Sequence, residues 1–289
     1  MTTWFDKLPR PEYSSLERVL TSEPWFEVYA IRPSVFAIYE PYQFQEVISY
    51  LIVGSEKSLL IDTGMGIGNM AKVVNELSSR PLLVINTHTH FDHIGDNWRF
   101  EQSLLGVRCE FSAKDYDELT SDAQADAQDG SIRLEHAPND FNRETYRIKP
   151  YCISKYISDG EVLNLGGDRK ITIYFTPGHT PDSLCLLDVQ ERLLFVGDTF
   201  YRGPVYLLRP ETNLDDYMKS LERLIDVIKD HHVEFIIPAH NIPIVDPSLL
   251  TIALEGMKSI TQGKIIGKKT TEHSYTEYPF EKFSFLVNR

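Results

Sequence analysis

The chain has 289 residues, 42% of them hydrophobic and 11% aromatic, which is ample for a sizeable buried core. Its formal net charge of −13 opposes a polyanionic partner, so no nucleic-acid role is expected. Cys109, Cys152 and Cys185 form no CxxC pair, the N-terminus lacks the apolar core of a signal peptide, and no apolar run nears the roughly 20 residues of a membrane span. A soluble, cytoplasmic protein is expected.

Residues 1–24 are polar and carry Pro9, Pro11 and Pro24, and read as a surface arm. Residues 26–31, 34–39, 47–53 and 58–61 are rich in β-branched and aromatic side chains and read as an antiparallel meander. Asp62-Thr63-Gly64 closes the last of these strands, and Asn69 is placed to cap a helix reaching about residue 79. The apolar run Pro81-Leu82-Leu83-Val84-Ile85 is a buried strand. It opens directly into Asn86-Thr87-His88-Thr89-His90-Phe91-Asp92-His93-Ile94-Gly95.

Four metal-capable side chains thus crowd a turn at the C-terminal end of a strand, where open α/β sheets hold their ligands. His88 and His90 point the same way on an extended segment, while Asp92 and His93 can face a second point after the chain turns. Two pairs aimed at two points suit two metals, and imidazole with carboxylate suits zinc, with iron or manganese as alternatives. Asp62 reads either as a turn residue or as a carboxylate that orients a ligand histidine from behind.

A helix is expected over 96–103, a strand over 107–111 and a second helix over 113–119. Residues 120–160 break the rhythm and read as an inserted, partly helical segment. Its aromatics, Phe141, Tyr146, Tyr151 and Tyr156, either line a pocket or pin the segment to the body. Strands follow over 161–164 and 170–175, then a Pro-Gly turn that exposes His179. Strands over 184–187 and 193–196 lead to Gly197-Asp198, and a strand over 235–237 leads to Ala239-His240. Helices are expected over 214–229, with Leu221, Leu224, Ile225 and Ile228 on one face, and over 247–260. The tail, 263–289, alternates aromatics and reads as an edge strand or flap packed on the domain formed by 25–262. The arm and the tail can each cover their own core or serve a homodimer.

HxHxDH at His88, His90, Asp92 and His93, with the later turns at His179, Asp198 and His240, resembles the metallo-β-lactamase superfamily over about residues 25–260. The resemblance implies an α/β fold of αββα type, two sheets face to face with helices outside. It also implies a dinuclear site. By that resemblance His88, His90 and His179 hold one zinc, Asp92, His93 and His240 hold the other, and Asp198 bridges the two. A hydroxide between the metals would attack the carbonyl of a small-molecule lactone, thioester or ester. Asp92 or Asp198 would relay a proton, and Tyr201 would donate to the oxyanion.

The bridging aspartate counts against β-lactam amide hydrolysis as the main role. Tyr201 in Gly197-Asp198-Thr199-Phe200-Tyr201 is similar to lactonases of the superfamily. That turn, with Leu163-Asn164-Leu165-Gly166 and the run PGHTPDSLCL, also resembles its acyl-CoA thioesterases. Glyoxalase II-type members share the ligands but differ after the Gly-Asp turn. A two-metal phosphodiesterase is the alternative from another reaction class. Tyr206, Leu207 and Leu208 are expected to wall the substrate's apolar part.

Overall fold

The β-branched and aromatic runs of the first half all become strands, as their fit to a pleated, buried surface requires. In the computed structural model, which describes residues 7–8, 10–109, 115–128, 130–269 and 274–288, the chain divides into two compact units. One comprises residues 1–158 and 163–170, the other 159–162 and 171–289. The fold is mixed α/β.

The first unit is built on an eight-stranded sheet whose spatial order is its chain order. The strands are β1 (Glu17–Val19), β2 (Glu27–Arg32), β3 (Val35–Tyr39), β4 (Ile48–Val53), β5 (Ser58–Ile61), β6 (Leu82–Ile85), β7 (Leu104–Val107) and β8 (Lys155–Ile157). Pairing is antiparallel from β1 to β5 and parallel from β5 to β8. One cross-strand row, Phe36, Leu51, Leu60, Val84 and Leu104, floors a core against three helices. These are α1 (Met70–Leu77), α2 (Phe91–Ile94) and α3 (Tyr116–Asp126), which contribute Met70, Val73, Phe91, Ile94 and Leu119 among others. Each such side chain taken fully out of water contributes about 1.5–3 kcal/mol.

Several boundaries differ from the sequence expectation. Residues 17–19 of the arm form an edge strand, not a loose cover. Only a single tight turn, Asn97–Arg99, forms where a helix over 96–103 was expected. The Asp96 and Asn97 side chains are spent on neighbouring backbone and side-chain groups, which competes with helix propagation. The strand expected over 107–111 begins earlier, at Leu104, and residues 110–111 lie outside the described ones. The next helix starts later and runs further than 113–119, because Asp115 caps it by accepting from Asp117 N at 2.9 Å.

The later part of the chain forms a five-stranded sheet in the order β14-β12-β11-β10-β9 and a four-stranded sheet in the order β13-β17-β16-β15. Their ranges are β9 (Val162–Asn164), β10 (Lys170–Phe175), β11 (Leu184–Asp188), β12 (Leu193–Gly197), β13 (Pro204–Leu207), β14 (Phe235–Pro238), β15 (Lys268–Lys269), β16 (Tyr275–Pro279) and β17 (Ser284–Asn288). The edge strand β9 lies where the chain passes between the units. Helix α4 (Leu214–His231) opens on Asn213, which accepts from Asp215 N at 3.0 Å and Asp216 N at 3.1 Å. It buries Tyr217, Leu221, Leu224 and Val227 against helix α5 (Leu249–Thr261) and both sheets. The aromatic tail is more than an edge: β17 is an inner strand, parallel to β13 on one side and antiparallel to β16 on the other.

Candidate metal centre

The histidine turn leaves β6 and is held by a cage of hydrogen bonds to the loop that leaves β5. Thr63 N donates to His93 O at 2.8 Å, and Gly95 N donates to Gly64 O at 2.8 Å. Asn86 Nδ2 donates to the same His93 carbonyl at 2.8 Å, and Asn97 Nδ2 donates to Asn86 Oδ1 at 2.8 Å. Asp96 accepts from Met70 N and Arg99 Nε, both at 2.9 Å, while burial raises its pKa. The turn therefore arrives rigid, with His88, Asp92 and His93 buried and His90 half-buried.

Its donor atoms converge. His88 Nε2 lies 3.0 Å from His90 Nδ1, and His93 Nε2 lies 3.6 Å from Asp92 Oδ2. Asp62 stands behind His93, with its Oδ2 2.9 Å from His93 Nδ1. The same carboxylate accepts from Thr87 N at 2.7 Å and Thr87 Oγ1 at 2.8 Å. A carboxylate on Nδ1 fixes the imidazole proton there and turns the lone pair out through Nε2, the tautomer a metal needs.

The second unit presents its own set. Gly178, at φ 141°, passes so close to α4 that an added Cβ would meet Tyr217 Cα at 2.3 Å, and this tight turn carries His179. His179 Nδ1 sits 2.8 Å from the Tyr206 carbonyl, so its lone pair too leaves through Nε2. Asp198 follows the glycine that ends β12. Its Oδ1 lies 3.0 Å from His240 Nε2 and its Oδ2 lies 3.7 Å from His179 Nε2. All three residues are buried. Imidazoles oriented through one nitrogen, beside buried carboxylates, make a donor set that fits a divalent metal and no apolar core. Each unit presents such a group.

Tyr201 is placed otherwise than expected. Its hydroxyl donates to Pro204 O at 2.7 Å and accepts from Tyr206 N at 3.3 Å, while its ring lies 5.0 Å from His240. Its one proton is engaged by the backbone, so it braces the turn beneath His240. Of the expected wall, Tyr206 is exposed and Leu208 half-buried, whereas strand alternation turns Leu207 into the core. The aromatics of 120–160 divide between the two readings in favour of pinning. Tyr146 is buried with its hydroxyl on the Met65 carbonyl, Phe141 packs on it at 5.4 Å, and Tyr151 meets Tyr116 at 6.1 Å. Tyr156 alone is exposed, under the Arg108 guanidinium.

Sequence reasoning missed Asn86 and Asn97, whose only signal is an amide on either side of the histidines. It also missed Glu40. That residue is buried and accepts from Trp25 Nε1 at 2.5 Å and Met65 N at 2.9 Å. Burial pushes its carboxyl up to about 7, against the opposing pull of those two donors. Cys185 is buried beside Thr176, and burial pushes its thiol up to about 11.

The family profile described as the metallo-beta-lactamase superfamily matches residues 45–240. The chain is 30% identical to the acyl-coenzyme A thioesterase MBLAC2 of Bos taurus, over 66% of this chain and 71% of that one. It is 26% identical to the atrochrysone carboxyl ACP thioesterase of Aspergillus chevalieri, over 71% of this chain and 54% of that one. Among solved structures, a metallo-beta-lactamase family protein from Thermus thermophilus superposes with a TM-score of 0.57 at 22% identity, covering 81% of this chain and 82% of that one, a likeness of fold.

Proposed function

The chain belongs to the metallo-β-lactamase superfamily, and on that premise we propose that it is a dinuclear zinc hydrolase of acyl thioesters. The observation that carries this reading is the tautomer control at both donor sets: Asp62 behind His93 and the Tyr206 carbonyl behind His179. Such supports suit metal ligands, because they leave each Nε2 lone pair able to bind. The relatives named as thioesterases supply the substrate class. In this reading His88, His90 and His179 serve one metal, Asp92, His93 and His240 the other, and Asp198 serves both. When bound, the metals supply Lewis acidity, polarising the thioester carbonyl and bringing the pKa of water toward about 7.

The side chains do the remainder. Asp62 keeps the His93 proton on Nδ1 throughout turnover. The carboxylate of Asp92 takes a proton from the attacking water and returns it to the departing sulfur. A covalent route through Cys185 is disfavoured, because its thiol is buried with its pKa raised to about 11. A thioester demands little of the acid, since a thiolate is a good leaving group. The three cysteines are free, which supports a reducing, cytoplasmic setting. No helix among the described residues is long and apolar enough to cross a membrane.

The test pairs metal analysis with turnover on palmitoyl-CoA, an acyl-homoserine lactone, S-lactoylglutathione, nitrocefin and bis-p-nitrophenyl phosphate. Two zinc ions per chain and preference for the coenzyme A thioester are expected. One iron per chain, or preference for the phosphodiester, would overturn the reading.

A further inference from the structure

The first unit contains a cavity of about 380 Å³ that the chemistry above does not use. Four tyrosines, Tyr13, Tyr29, Tyr39 and Tyr42, form its aromatic walls. Tyr13 stacks on Tyr39 with ring centroids 4.5 Å apart, and Tyr42 stacks on His136 at 4.0 Å. Three arginines, Arg10, Arg18 and Arg133, line the same space, against one lining carboxylate, Glu27, among the described residues. In a chain of net charge −13 this gathers three guanidinium groups around one space. Each guanidinium is steadied from the side: Arg10 by buried Glu46, Arg18 by Glu27 at 3.0 Å, and Arg133 by Glu135 at 2.5 Å.

The register places this cavity at the functional end of the sheet. Tyr39 pairs with Ile48 two residues before Tyr50, which pairs with Ile61, and Ile61 pairs with Ile85. Tyr39 and the Pro41-Tyr42 segment are therefore level with Thr87 and the histidine turn. Strand β3 stands three places from β6 in the sheet, and β2 stands four. At ~4.8 Å per strand the lateral separation is roughly 14–19 Å.

Flat aromatic walls with fixed guanidinium groups recognise a heteroaromatic base that carries phosphates: rings for the base, planar forks for the phosphate oxygens. Coenzyme A ends in such a group, an adenosine bearing 3′-phosphate and 5′-diphosphate, and its extended pantetheine arm spans a gap of this size. We infer that the Tyr/Arg cavity binds the adenosine-phosphate end of a coenzyme A thioester whose acyl carbon lies at the histidine turn. This rests on the thioesterase reading and narrows it to substrates that carry the nucleotide, as against acyl groups borne on a carrier protein or on glutathione.

The test titrates adenosine 3′,5′-bisphosphate into the metal-loaded protein by calorimetry. Saturable binding is expected. Arg18→Ala and Tyr42→Ala should each weaken it tenfold or more. Glu27→Gln, which keeps a carbonyl acceptor for Arg18 while removing the lining anion, should tighten it severalfold, a sign that a damaged fold does not produce. In kinetics the bisphosphate should raise KM for an acyl-CoA without changing kcat. It should leave untouched the same acyl group on pantetheine, which keeps the arm and lacks the nucleotide. No binding at millimolar concentration, or equal inhibition of both substrates, would overturn the assignment. Acyl-CoA hydrolysis without nucleotide binding would sink this inference and spare the thioesterase reading. Nucleotide binding without hydrolysis of any thioester would sink both.

Discussion

Asp62→Asn tests the tautomer argument most directly. Asp62 is 1% exposed and meets three polar atoms: Thr87 N at 2.7 Å, Thr87 Oγ1 at 2.8 Å and His93 Nδ1 at 2.9 Å. An amide of the same shape cannot serve all three. With its oxygen kept on Thr87 N, its NH2 faces His93 and donates to Nδ1, which drives the ring proton to Nε2 and removes the metal's lone pair. Turned around, its NH2 opposes the Thr87 N–H and orphans a buried donor at about 1–3 kcal/mol. Loss of such a support weakens metal binding 10–100-fold, about 1.4–2.7 kcal/mol. Zinc competition against a chromogenic chelator reads this as one weakened binding step, with circular dichroism verifying the fold. Both steps within threefold of wild type in a folded variant would refute the reasoning.

Glu40 should make the metal-free protein's stability fall with rising pH. Its folded-state pKa is raised from 4.5 to about 7, so its contribution is complete below about 4.5 and is lost as pH passes through 7. The total is about 3 kcal/mol, and denaturant unfolding from pH 4 to 8 should show the slope flatten in Glu40→Gln. An unchanged slope would mean that Glu40 is ionised throughout. Gly178→Ala forces a Cβ to 2.3 Å from the Tyr217 backbone at φ 141°, and should cost at least about 2 kcal/mol by urea unfolding. A neutral result would mean the turn relaxes freely. Tyr146→Phe removes the hydroxyl bonded to the buried Met65 carbonyl and should cost about 1–2 kcal/mol, and an effect under ~0.3 kcal/mol would show that ring packing alone holds the segment.

Local chemistry was the legible part of this chain. The strand over 58–61 forms with the same limits, and Asn69 caps the helix after it, because composition and capping are short-range effects. The clustering of His88, His90, Asp92 and His93 was equally readable, since one turn carries all four. What lay beyond reach depends on how the chain turns back on itself. Glu40 serves Met65 N across 25 positions, and nothing near either residue announces the pair. The hydroxyl of Tyr201 could be directed only by knowing that the chain doubles back to bring Pro204 O beneath it. Leu207 faces the core because β13 is a strand, a fact fixed by its pairing with β17 rather than by its own composition.

The pairing of β13 with β17 also orders events during synthesis. Tyr206, whose carbonyl steadies His179, lies beside Leu286, and Leu208 O accepts from Asn288 across 80 positions. At 5–20 residues per second, a ribosome needs roughly 4–16 s more to deliver those partners after β13 itself has been made. The histidine turn, built from β5, β6 and their loops, has by then long left the exit tunnel. A nascent chain therefore offers the His88 to His93 donors well before the support of His179 is in place. Metal met during translation would be held by the first set alone, and the second would mature only once Ser284–Asn288 had docked.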